Sequence, residues 1–100
     1  MKTVEIIAEI ANAHQGCPKE AYKLAEEAVK AGAESIKYQI YFADEFLVEK
    51  HPRFLHFKKQ SFSEKEWIDL IKRSKDLGTK IYCDIFGEKA FKIANALNID

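Results

Sequence analysis

Three short runs rich in β-branched residues, each followed by a segment with helical spacing, predict an α/β fold with a parallel sheet. A one-sided polarity along those runs narrows the prediction to a (β/α)8 TIM barrel, of which these 100 residues cover about the first three βα units. No Gly/Ser linker or low-complexity segment interrupts the alternation.

The first strand is expected near residues 4–10, VEIIAEI, bounded by the polar turn that follows. From Pro18 the period changes. Ala21, Leu24, Ala25, Ala28 and Val29 recur at helical spacing, Pro18 suits a first helical turn, and Gly32 stands where the helix stops. Residues 35–41, SIKYQIY, form the second strand, and a long connection follows, FADEFLVEKHPRFLHFKKQSF. Ser63 and Glu66 have capping-box spacing ahead of Trp67, Leu70, Ile71 and Leu77, with Gly78 as the stop. Residues 80–86, KIYCDIF, make the third strand, and Phe91, Ala94 and Leu97 mark a third helix.

The choice of a barrel rests on side-chain alternation. Val4, Ile6, Ala8 and Ile10 share one face of the first strand, Ile36, Tyr38 and Ile40 of the second, and Ile81, Cys83 and Ile85 of the third. The opposite faces carry Glu5, Ile7 and Glu9, then Ser35, Lys37, Gln39 and Tyr41, then Lys80, Tyr82, Asp84 and Phe86. A doubly wound sheet is apolar on both sides. A barrel covers its outer face with helices and opens its inner face at the strands' C-terminal ends, so Glu9, Lys37, Gln39 and Asp84 are expected to converge on one mouth. A whole barrel takes about 250 residues. The chain, which closes on ALNID where a fourth strand is due, therefore reads as an N-terminal piece of a longer protein.

Composition bounds the function. Sixteen basic residues balance sixteen acidic ones, which argues against nucleic-acid or anionic-membrane binding. Met1-Lys2 leads into a strand-like run without a signal-peptide pattern, and no apolar stretch reaches the roughly 20 residues of a membrane span. Cys17 and Cys83 are isolated thiols, so a cytoplasmic protein is expected. The segment KHPRFLHFKK mixes basic and aromatic residues, but it lies where a βα loop covers a barrel mouth, and reads as a lid for anionic ligands. His51 and His56 have neither helix-pair nor zinc spacing. Two readings stay open for Glu9 and Lys37: a functional pair, or a structural ion pair across adjacent strands. His14, on the first βα loop, is either a substrate contact or a turn residue.

IIAEIANAHQG, AGAESIKYQ and LGTKIYCDIF, in this order, resemble the N-acetylneuraminate (sialic acid) synthase family and related nonulosonic acid synthases, from about residue 4 to residue 100. The resemblance implies a TIM-barrel transferase that condenses phosphoenolpyruvate with an open-chain N-acyl amino sugar. The enol carbon bonds to the sugar aldehyde, water adds at C2 of the phosphoenolpyruvate unit, and phosphate leaves by C–O cleavage. It further implies catalytic roles for Glu9 and Lys37, and substrate contacts at Gln39, His14 and Asp84. A divalent metal, manganese or magnesium, is implied with ligands downstream of this segment, as are a C-terminal antifreeze-like domain and a homodimer of the full-length protein.

The chain departs from the family pattern. Where AEIGxNHxG is common, Ala11 and Ala13 replace Gly and Asn; where Ser-Thr-Pro-Phe is common, Cys83-Asp84-Ile85-Phe86 stand. Asp84 thus takes the place of a phosphate-contacting threonine and needs Lys37, a proton or a metal to offset its charge. The alternatives are another TIM-barrel aldol-type or phosphate-handling enzyme, or a noncatalytic α/β interaction fragment.

Overall fold

Burial of one apolar face organises the sheet. The computed structural model describes residues 4–99, so Met1, Lys2 and Asp100, which entered the sequence reading, lie outside the described residues. In chain order the elements are β1 (Ile7–Glu9), α1 (Pro18–Lys30), β2 (Ser35–Tyr41), α2 (Ala43–Phe46), α3 (Phe54–Gln60), α4 (Glu64–Lys75), β3 (Lys80–Phe86) and α5 (Glu88–Ala96). The strands form one parallel sheet in the order β1-β2-β3. Glu9 lies opposite Lys37, Lys37 opposite Tyr82, and Gln39 opposite Asp84.

Ile36, Tyr38, Ile40 and Ile81 are fully buried against Ala21 and Ala25 of α1, Trp67, Leu70 and Ile71 of α4, and Ala90 and Ile93 of α5. The helices therefore cover a single face, and the polar residues of β2 and β3 line the other. Within the core, Ser74 Oγ donates to the Leu70 carbonyl at 2.7 Å, which leaves the Tyr38 hydroxyl to donate to Ser74 at 2.6 Å. The capping box of α4 forms as its spacing implies: Glu66 N donates to Ser63 Oγ, and Ser63 N donates to Glu66 Oε1.

β2 and β3 match their expected bounds, but three expectations need correction. β1 is limited to Ile7–Glu9, although Ile6 still accepts backbone bonds from Glu34 and Ser35. Val4 and Ile6, expected in the apolar face, are 82% and 59% exposed, because no described residue packs beyond this edge strand. In α5 the buried residues are Ala90 and Ile93, whereas Phe91 is exposed on the flank toward Cys83, Ile85 and Ile99.

The long connection holds two short helices, which sequence periodicity did not reveal. Aromatic anchors fix it: Phe54 is buried, Phe57 packs edge-on against Tyr41, and the Phe62 ring lies 4.7 Å from Trp67. The carboxylate of Glu45 accepts the Lys89 backbone N–H at 3.1 Å, so this connection caps the N-terminus of α5.

Ala11 has a φ of +49° at a position where the sequence pattern calls for glycine. A left-handed conformation costs an L-residue about 1–2 kcal/mol, partly offset by glycine's larger entropy loss of about 0.5–1 kcal/mol. Ala11→Gly is therefore expected to stabilise the fold by up to about 1 kcal/mol. A higher urea midpoint at unchanged slope is the measurement, and a lower midpoint refutes it.

Candidate functional site

The polar face of the sheet gathers four of the five residues singled out from the sequence. Glu9 closes β1, Lys37 and Gln39 are the third and fifth residues of β2, and Asp84 sits in β3 two residues from its end. All four point away from the helices, because their in-register neighbours Ile36, Tyr38, Ile40 and Ile81 point into them.

Their contacts run diagonally and bypass the directly opposed pairs. Lys37 Nζ lies 3.1 Å from Asp84 Oδ2, and Gln39 Nε2 donates a long hydrogen bond of 3.4 Å to Glu9 Oε1. The ion pair of Lys37 is thus with Asp84, and not with Glu9 as the structural alternative supposed. The hydrogen bond that Lys37 donates to Asp84, and then the Asp84 charge, hold the Lys37 ammonium above its ordinary pKa, with Glu9 adding a smaller pull in the same direction and burial opposing. Lys37 is therefore a fixed cation beside carboxylates, able to hold an anion but not poised as a base. An open depression of about 360 Å³ adjoins it, lined by Glu5, Ile7, Lys37, Tyr82, Cys83 and Asp84.

A second cluster lies toward the N-terminal ends of the strands. Ser35 Oγ donates to Glu5 Oε2 at 2.6 Å, and the Tyr82 hydroxyl is shared between both Glu5 oxygens at 3.2 Å. Sequence reasoning passed these three over, although their alternation put them on the polar face. The missing signal was register, which alone shows that Ser35 and Tyr82 reach one carboxylate. Above the site, Tyr41 is buried and donates to Asn12 Oδ1 at 3.1 Å, and burial pushes its phenol up to about 12.

His14 does not join this group. It is 1% exposed, its Nδ1 accepts the Gly16 backbone N–H at 2.9 Å, and its ring lies 4.4 Å from that of Phe62. Burial lowers its pKa, which favours the neutral ring that an accepting Nδ1 requires. The imidazole thus closes its own loop and packs against an aromatic ring, contacts that the turn-residue alternative describes. Cys83 points to the helical side, where burial pushes its thiol up to about 12; Cys17 is exposed at the start of α1.

Among the described residues, no group of three or more His, Cys, Asp or Glu side chains is placed to hold a metal ion. No helix among the described residues is long and apolar enough to cross a membrane.

Comparison with known proteins gives this geometry a context. No family model matches the chain. An uncharacterized protein of Methanocaldococcus jannaschii is 31% identical over 94 residues, which is 94% of this chain and 28% of that protein. The N-acetylneuraminate-9-phosphate synthase of Drosophila melanogaster is 28% identical over 97% of this chain and 30% of its own length. Among solved structures, an N-acetylneuraminic acid (sialic acid) synthetase from Leptospira borgpetersenii, in complex with citrate, superposes with a TM-score of 0.87 at 26% identity. That match covers 98% of this chain and 34% of the synthetase. A structure named for spore coat polysaccharide biosynthesis protein E of Chromobacterium violaceum, at 21% identity and a TM-score of 0.79 over 98% of this chain and 32% of that one, shares the fold. By sequence and by fold, the chain matches one part of the sialic acid synthases and spans about a third of their length.

Proposed function

We propose that this chain is the N-terminal portion of a (β/α)8 barrel that condenses phosphoenolpyruvate with an N-acyl amino sugar, giving a nonulosonic acid and phosphate. The observation that carries the reading is the convergence of Glu9, Lys37, Gln39 and Asp84 on the helix-free face of a parallel sheet, in a chain similar to a sialic acid synthetase. Apolar residues at both sheet edges, Val4 and Ile6 beyond β1, and Ile85 and Phe91 beside β3, support further strands and helices closing the barrel.

In this reading Lys37 holds the charged end of the donor as a point charge, where it steadies charge that builds on the departing phosphate. Glu9 lies against the sugar and takes or returns a hydroxyl proton. Gln39 orients Glu9 through its amide, and with Asp84 reaches sugar or donor oxygens. A divalent metal would polarise the sugar aldehyde, held by ligands outside these residues. We further propose a homodimer for the full-length protein.

Phosphate release by the full-length protein tests this reading, with phosphoenolpyruvate, manganese and a panel of N-acyl hexosamines. Release that depends on one of the sugars is expected. Its absence with every sugar would overturn the synthase reading and leave another barrel chemistry in its place.

A further inference from the structure

Lys37 stands on the polar face at the third position of β2, opposite Glu9 and one diagonal step from Asp84. β-register sets Glu9 and Tyr82 opposite Lys37, yet its ammonium reaches diagonally to Asp84 at 3.1 Å. Both ends of the pair are about one-third exposed, at 32% and 39%, so a ligand from the open face can reach either. Any anion that seats on Lys37 here meets Asp84 within the same few ångströms, and a like charge at that range opposes it.

We propose that Asp84 is a positioning residue that latches Lys37, so that a donor binds by drawing the ammonium off Asp84. This rests on the proposed reading of the polar face as the seat of the donor. A phosphate dianion offers Lys37 more charge than the Asp84 carboxylate does and can win the exchange, at the cost of parting the pair. Asp84 then acts through Lys37, without needing to touch the reacting atoms. The Glu9–Gln39 contact lies on the other diagonal and leaves the exchange free to occur.

Three forms of the full-length protein test the latch: wild type, Asp84→Asn and Asp84→Glu. The Asn variant keeps the size of the side chain and removes the charge. It is expected to lower the KM for phosphoenolpyruvate and the inhibition constant of inorganic phosphate by about threefold or more, the scale of a partly exposed ion pair. Inhibition by acetate should strengthen by no more than that factor, because the same pair must part for it and it carries less charge for Asp84 to repel. Asp84→Glu should restore wild-type values. An unchanged or higher KM in Asp84→Asn overturns the latch, as does a Glu variant that behaves like Asn. If wild type releases no phosphate with any sugar, the proposed function fails by itself. Equilibrium binding of inorganic phosphate to the same three proteins then decides the latch: tighter binding in Asp84→Asn supports it, and equal, weaker or absent binding overturns it.

Discussion

Lys37→Ala is expected to lower turnover of the full-length protein by at least about a hundredfold, the usual loss when one fixed charge facing a developing anion is removed. The side chain projects from the open face and fills no part of the core, so the fold should survive the change. Glu9→Gln is the companion experiment. It keeps the shape and preserves an amide oxygen to accept from Gln39, but it cannot take a proton, and a loss of about a hundredfold or more is expected. Steady-state phosphate release, with circular dichroism to verify folding, measures both. A normal rate in either folded variant removes that residue from the proposed chemistry.

Gly16→Ala should strike the fold itself. Gly16 has a φ of +80°, and a Cβ there would overlap the Lys59 backbone carbonyl and lie 3.2 Å from Gln60 Cα. Those atoms belong to the end of α3 and cannot swing aside as a side chain would. Backbone strain at positive φ and the forced shift of α3 together predict a loss of about 3 kcal/mol. Gly32→Ala is the control: its φ is +107°, but nothing lies within 4 Å of the added atom, so only the smaller conformational cost remains. Urea unfolding of the two variants should separate them clearly. Equal midpoints would show that the first loop is not pressed against α3.

How much of this was legible in the residues depends on where the physical signal is local. SIKYQIY and KIYCDIF could be bounded to the residue because alternation, β-branched content and nearby turn formers agree. The capping box of α4 was equally readable, since its two hydrogen bonds join residues three apart. Alternation also put Glu9, Lys37, Gln39 and Asp84 on one face. It could not choose the partner of Lys37, because the diagonal to Asp84 depends on register between strands over forty residues apart in sequence. α3 went unread for a different reason: FLHFKKQ has no capping side chain and draws its support from Tyr41 and the core. His14 was left between two roles because its burial depends on Phe62, a residue of the distant connection.

The hold of Glu45 on the first turn of α5 has a mechanical consequence. Swinging the segment after β2 away from the sheet would strip a carboxylate from the Lys89 amide and part the Asp44–Lys89 ion pair, which spans 3.6 Å. Any such hinge therefore loosens the start of the last helix at the same moment, at a cost of about 1 kcal/mol. The seating of this connection and the firmness of α5 are in this way geared together.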